Sequence, residues 1–407
     1  MSKSTTELLQ SHLSEAGIPF AVPGSSEFVS LQTSYTGRHD EVRPKVITRP
    51  RSAKQVATII KSCLSLKLDP VVRGGGHDMF GRFSALDAVS VDLRDLNAVT
   101  ISPDKKTARV GGGATNYQLK LMLAYSRVCV GAAEVSPSLS SWRSRRGRSV
   151  RYAGMLFFES SDIAGAVTTF FTSYNNLVNT HKDIPSKLYL MPSIWIYPKV
   201  GLSLTCGFIW NGSASDESRL WLERVSKLAP LSPNISDVHS TVMNTNALGF
   251  AAMVKDMIPA QVLGRCQSAD ISHFSPEVVD ELARIAHAIP RDSSGGVNIH
   301  TLRADSPSCR PDTPDSVLPY RKPHVMFEFL GLGDDEASAR GAAAWALDAR
   351  NRISALPDAE GPTYLPLTAP EFVDLETTFG GHLAELRQLK REYDPAGVFK
   401  HTLPKLV

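Results

Sequence analysis

Cysteine is scarce in this sequence and none of it is paired by spacing. Cys63, Cys129, Cys206, Cys266 and Cys309 make an odd set with no CxxC, which excludes a disulfide framework and a zinc knuckle and leaves buried thiols as the reading. Long apolar runs are also lacking, since no stretch nears the ~18 continuous residues of a membrane span. Charge of one sign is missing as well. A net +3 over 407 residues gives no general electrostatic reason for a nucleic-acid or membrane partner, so small molecules are the expected ligands. The N-terminus has no charged head followed by an apolar secretory core. Met1 to Gly17 reads instead as a polar amphipathic helix opened by a capping box, Ser4 through Glu7. An intracellular, cytoplasmic location is therefore expected, with the sequons at Asn211 and Asn234 unglycosylated.

A chain of this length exceeds what one core supports, so two domains are the default. Ser52 signals a helix start, after which Val56, Ile59, Ile60, Cys63 and Leu64 share one face. A short strand, Pro70 to Val72, follows and runs into Arg73-Gly74-Gly75-Gly76-His77-Asp78. Strand-like runs then come at Val89 to Leu93, Ala98 to Ser102 and Thr107 to Val110, the last ending in Gly111-Gly112-Gly113, before a helical pattern from Asn116 to Tyr125. Strands that cluster, instead of alternating strictly with helices, indicate α+β. Further on, strands are suggested at Ser203 to Trp210 and His324 to Leu330. Helices are suggested at Asp216 to Leu228, Asp335 to Leu356 and Glu376 to Tyr393, and Ser293 to Pro323 reads as a long loop.

Three glycines directly after a strand free the backbone for positive φ and leave N–H groups unshielded, as a phosphate-cradling nest requires, and Arg73 could add charge. Neither GxxxxGK[ST] nor GxGxxG occurs, so the loop is neither a Walker loop nor the dinucleotide fingerprint. A tight turn remains the simpler alternative. Two features weigh toward a ligand: His77 abuts the loop, and a second glycine triplet closes a later strand.

Between Glu134 and Tyr152 the character changes. Ser136-Pro137-Ser138-Leu139-Ser140-Ser141 precedes Trp142-Arg143-Ser144-Arg145-Arg146-Gly147-Arg148-Ser149-Val150-Arg151, where neither helical nor strand period survives. The stretch reads as outside any core. A nucleic-acid or membrane patch is the less favoured reading of its arginines, because Trp142 is the only aromatic among them.

The strand, RGGGHDMFGR, VSVDL and TARVGGGAT resemble the first half of a p-cresol-methylhydroxylase-type FAD domain. Tyr364, Phe379-Gly380, Leu386, Lys390-Arg391, Tyr393-Asp394-Pro395 and Phe399-Lys400-His401 are similar to the closing segment of berberine-bridge-like oxidases, and Gly154 to Ile163 looks like the substrate-domain entry of fungal members. The resemblance implies a two-domain α+β fold. It comprises an FAD-binding part over 1–135, an atypical junction over 136–153, an inserted antiparallel-sheet substrate domain over 154–360, and a C-terminal segment over 361–407 that returns to the FAD domain. Carried over by position, it implies that Arg73, Gly74, Gly75, Gly76, His77, Asp78, Gly81, Gly112 and Gly113 hold FAD, with His77 the candidate for a covalent bond to the flavin. Ala133, not Cys129, stands where some relatives have a second, cysteinyl link.

The departures are specific. Ser136 to Arg151 replaces a further glycine-rich loop and strands, so the FAD fold is expected to be incomplete by some tens of residues. Tyr364-Leu365-Pro366 replaces a Tyr-x-Asn pattern, and Gly397 replaces an asparagine. The reaction implied is oxidation of a small organic molecule of secondary metabolism, with hydride transfer to flavin and reoxidation by oxygen. Glu328, between Phe327 and Phe329, is the candidate base and Tyr364 a second proton carrier. For Glu328 a solvated strand face is the simpler reading. A catalytically inactive truncated flavoprotein, kept as a metabolite-binding remnant, is the alternative for the whole chain.

Overall fold

A computed structural model describes residues 3–406 apart from 35, 38–42, 105–106, 116–117, 120–149, 181–183, 199, 234–240, 247–248, 251, 254–261, 307–308, 310–321, 362–363 and 403. The chain divides into two units, Met1–Val130 with Phe379–Val407, and Gly131–Thr378. Each is α+β.

The first unit begins with α1 (Thr5–Glu15), whose capping box closes as the sequence indicates: Ser4 Oγ accepts from the Glu7 amide at 3.2 Å, and the Glu7 carboxylate accepts from the Ser4 amide at 2.6 Å. There follow β1 (Phe20–Ala21), α2 (Ser26–Gln32), β2 (Val46–Thr48), α3 (Ala53–Ser65), β3 (Pro70–Arg73) and β4 (Val89–Asp92). The sheet order is β1-β2-β4-β3. The last three strands are mutually parallel, and β1 is antiparallel to β2. Leu9 and Leu13 of α1, Ile59 and Cys63 of α3, and Val46, Val89 and Val91 of the strands form its core. A separate hairpin pairs β5 (Val99–Ile101) with β6 (Ala108–Val110).

The second unit is built on an antiparallel sheet of β7 (Val150–Phe157), β8 (Leu188–Tyr197), β9 (Gly201–Trp210), β10 (Met243–Asn246), β11 (Leu263–Ile271), β12 (Gly296–Leu302), β13 (His324–Gly333) and β14 (Ala359–Glu360), in the order β10-β7-β9-β8-β12-β13-β11-β14. Strand alternation sorts its side chains onto two faces. One face carries Leu190, Ile194, Leu204, Phe208, Val297, Ile299, Phe327 and Phe329. These pack with α4 (Ile163–Thr180), α5 (Asp216–Ser226), α6 (Pro276–His287) and α7 (Glu336–Ser354) into a core rich in edge-to-face rings. The Trp345 indole N–H donates to the Ile285 carbonyl at 3.2 Å and ties α7 to α6. Met155, Tyr189, Ser193, Thr205, Asn298, His300, Met326 and Glu328 alternate with these core positions and so lie on the other face.

Several expectations are corrected. β7 starts at Val150, and Arg151 and Tyr152 are buried, so the end of the Ser/Arg-rich stretch is sheet and not junction. The pairing of Tyr152 with Trp210 supplies the apolar partner that the local sequence does not advertise. Residues 120–149, with Cys129, Ala133 and most of the expected helix after Asn116, lie outside the described residues. The expected loop from Ser293 contains β12, a short alternating run hidden by flanking Ser, Asp and Pro. The expected helix from Glu376 is broken at Gly380, whose φ of +50° leaves the right-handed region, and resumes as α8 (Leu383–Tyr393). The return to the first unit begins at Phe379, not at 361. Cys63, Cys206 and Cys266 are buried, and burial pushes the Cys63 and Cys206 thiols up to about 12. Among the described residues, no helix is long and apolar enough to cross a membrane.

Within the first unit the C-terminal segment is anchored at Asp69, with Lys400 Nζ at 2.8 Å and His401 Nε2 at 3.3 Å. The Lys400 hydrogen bond, with His401 in addition, outweighs partial burial and holds the Asp69 carboxyl below its ordinary 3.8. A lowered folded value means that the pairing stabilises the fold above the ordinary aspartate range and stops doing so as pH falls through the lowered value. Replacing Asp69 with Asn should therefore lower the urea midpoint slightly at neutral pH, by less than about 1 kcal/mol for so exposed a pair. The gap from wild type should close as the titration is taken into acid. In the second unit, Phe327→Ala should cost about 3–5 kcal/mol in the same assay through the cavity it leaves.

Candidate functional site

Two groupings carry chemistry, one in each unit. In the first, β3 ends at Arg73 and the chain enters the glycine triplet. Gly76 has φ +72° and Gly81 φ +69°, so both turns use the left-handed region. A Cβ on Gly74 would lie 3.4 Å from the Gly112 carbonyl, so the two glycine stretches, far apart in sequence, meet. A Cβ on Gly113 would fall 1.7 Å from the Leu93 carbonyl, and one on Gly111 2.1 Å from that of Leu96, so only glycine lets the second stretch lie against that turn. The backbone around Gly75 is open, with nothing within 4 Å of its Cβ position, and Gly75 and His77 are both exposed.

Arg73 does not offer its charge to this loop. Its buried guanidinium donates to the carbonyls of Leu31, Gln32 and Thr33 (the last at 2.9 Å) at the C-terminus of α2, and stacks over Phe83 at 4.6 Å. A cation belongs at that negative end of a helix, and the carbonyls replace the water that Arg73 has lost. Burial, then Arg94 nearby, pulls it down to about 10, which still leaves it charged at neutral pH. Arg73 is thus an anchor beneath the loop: a Cβ on Gly76 would sit 2.8 Å from its Nη2. Asp78 is likewise committed to the turn. It accepts from the amides of Phe80 at 3.0 Å and Arg82 at 3.2 Å and pairs with the Arg82 side chain. Both side chains satisfy backbone groups, Arg73 at the end of α2 and Asp78 within its own turn.

In the second unit, Glu328 is mostly buried on β13, opposite Asn298 of β12 and Ser268 of β11. Asn298 Nδ2 donates to its Oε2 at 3.2 Å. His300, two residues along β12 on the same face, places Nε2 3.2 Å from that oxygen, off the straight line of a hydrogen bond, while its Nδ1 lies 3.2 Å from the Tyr189 hydroxyl on β8. Burial, together with the charge of Glu328, pushes the Tyr189 phenol far up, so it stays protonated. Ser268 Oγ meets the Leu367 carbonyl and Thr368 hydroxyl, each at 3.4 Å, and Tyr364 opens that same 3-10 turn. Tyr364 is thereby brought to the strand beside Glu328 through its backbone. The reading of Glu328 as a solvated residue does not survive this enclosure. Asn298, His300 and Tyr189 were missed from sequence; the polar alternation in Gly296-Val297-Asn298-Ile299-His300 was the available signal, and it lacked a register against His324 to Leu330.

The family model described as an FAD binding domain matches residues 44–139, which span β2 through both glycine stretches. The chain is 25% identical to FAD-linked oxidoreductase aurO of Gibberella zeae, over 88% of this chain and 80% of that one. The chain is an FAD-dependent oxidoreductase by this domain and is similar to fungal FAD-linked oxidoreductases. Its fold is that of BBE-like 1 of Physcomitrella patens (TM-score 0.73, 13% identity, 96% and 97% of the two chains covered) and of a glucooligosaccharide oxidase from Acremonium strictum (TM-score 0.73, 12% identity, 96% and 97%).

For an FAD-linked oxidoreductase the first unit's residues fit the cofactor. The glycine turns leave backbone open where a Cβ would fill the space, and exposed His77 stands at the loop, available to the flavin. Substitutions should separate loop strain from cofactor contact. Gly76→Ala is expected to destabilise the apoprotein by at least about 1–2 kcal/mol through its positive φ, read by urea unfolding. Gly75→Ala should leave that unfolding unchanged and lower FAD retention, read by flavin absorbance after gel filtration.

Proposed function

We propose that this FAD-linked oxidoreductase oxidises a small organic molecule of secondary metabolism, with Glu328 taking the substrate's proton and oxygen as final acceptor. The observation that carries the reading is the mostly buried carboxylate, held by Asn298, on the sheet face opposite the aromatic core, in a chain that also has the glycine cradle. FAD, when bound, supplies the hydride acceptor and the centre that oxygen reoxidises. The chain's own part is to hold the substrate and to accept a proton at Glu328. Asn298, donating to Oε2, fixes the orientation of that carboxylate, as a general base requires. Tyr364, on the turn beside Ser268, is the second proton-carrying group near this face. The Acremonium neighbour is described with a 6-S-cysteinyl, 8α-N1-histidyl FAD. His77 is our candidate for the histidyl link here. A cytoplasmic location is part of the same proposal.

A second reading is favoured by one observation. The alignment with aurO runs over 423 positions although only 88% of this chain enters it, so positions of that relative have no counterpart here. That supports a shortened flavoprotein that binds a metabolite without turning it over.

Recombinant protein should be yellow, and acid-precipitated protein should keep its colour in wild type and lose it in His77→Ala. Glu328→Gln should retain flavin and lower kcat by about 10²–10⁴-fold, followed by hydrogen peroxide release. Protein that stays colourless at saturating FAD sinks the enzyme reading in favour of the remnant. Unchanged turnover in Glu328→Gln removes Glu328 as base.

A further inference from the structure

His300 is buried, its Nε2 lacks an aligned hydrogen-bond partner, and it lies 3.2 Å from a carboxylate oxygen. A neutral imidazole carries one N–H, and which nitrogen holds it is set by the neighbours of both. With the proton on Nδ1, the Nε2 lone pair would face the Glu328 oxygen at that distance with little water to screen the repulsion. With the proton on Nε2, a positive hydrogen replaces the lone pair near the carboxylate, though off the line of a hydrogen bond, and Nδ1 is left to accept. Among the described residues the group at Nδ1 is the Tyr189 hydroxyl at 3.2 Å, which stays protonated and so has a proton to donate to a bare Nδ1. We infer that Tyr189 and His300 form a tautomer lock beside Glu328: Tyr189 donates to Nδ1, which obliges Nε2 to carry the proton and keeps its lone pair from facing the carboxylate.

The lock spans three strands, Tyr189 on β8, His300 on β12 and Glu328 on β13, and it works only because their register puts all three on one face. Other titratable groups of the unit that bear on it are Cys266 of β11, which faces Glu328, and Tyr174 of α4 and Cys206 of β9, which act on Tyr189. Burial raises all three above their ordinary values, so they stay neutral through the working range and leave the lock to its own members. His300 and Tyr189 are positioning residues: they act on substrate only through Glu328. The consequence for catalysis rests on the proposed role of Glu328 as base; the tautomer itself does not.

The test has two arms. In protein labelled with 15N-histidine, the ring signals lost in His300→Gln identify His300. Wild type should show the Nε2–H tautomer, and Tyr189→Phe, which keeps the ring and removes the donor, should show a mixture. An Nδ1–H ring, an imidazolium at pH 7.5, or no change in Tyr189→Phe overturns the lock whether or not the protein turns over any substrate. In turnover, Tyr189→Phe should move the acid limb of kcat/KM upward by about one pH unit, the size of one lost donor to a carboxylate, with KM little changed. His300→Ala should do the same, and His300→Gln, which restores an N–H near the Nε2 position, should recover most of the shift. A limb that stays in place in Tyr189→Phe and His300→Ala, in protein that Glu328→Gln inactivates, shows the pair to be structural only. Activity indifferent to Glu328→Gln removes the base and not the tautomer result.

Discussion

The register of β12 on β13 is the constraint on which the second unit depends. Asn298 stands opposite Glu328, and Ile299 opposite Phe327. Because a strand turns its side chains over every residue, a slip by one position would send Phe327 and Phe329 out of the helix-covered core and bring Glu328 into it. The aromatic layer against α4, α6 and α7 therefore does two things at once. It supplies most of the apolar burial in the unit, and it forbids the pairing in which the carboxylate and its donors would part. The chemistry on one face is held in place by packing on the other.

The first unit is governed by close approach of backbone. Its glycine stretches are separated in sequence yet touch, and the residues around them are arranged to allow it. Arg73 and Arg94 both donate to the Leu31 carbonyl at the end of α2, Arg94 also grips the fully buried Asp92, and Asp78 closes the turn from within. Charged side chains that look like ligand groups in sequence are here engaged in fixing the loop and its surroundings. That division of labour suits a phosphate cradle, since N–H groups bind an anion only if the backbone is held in shape.

Much of this was legible in the residues. The capping box at Ser4, the helix after Ser52, the strand into the glycine triplet and the strand around Glu328 all follow from local pattern, and the structure contains each. Local pattern failed where an element draws its stability from elsewhere. β12 is a brief alternation among loop-forming residues and is a strand because β8 and β13 flank it. Val150 and Arg151 follow an arginine-rich run and are sheet because β9 and β10 pair with that strand. The helix expected from Glu376 contained its own warning in Gly380-Gly381, which the longer apolar periodicity outweighed.

By itself, the sequence determined that this is an α+β chain, and its resemblance to known FAD domains supplied the cofactor. Glycine without a Cβ, capping residues and period-2 alternation act over a few positions and leave their mark wherever they are used. Tertiary structure alone decided that Arg73 grips a helix end, that Tyr189, His300, Asn298 and Glu328 form one group, and that Glu328 is enclosed. Those outcomes depend on pairings between segments tens to more than a hundred residues apart, and such a pairing exists only once the strands that carry it have found their register.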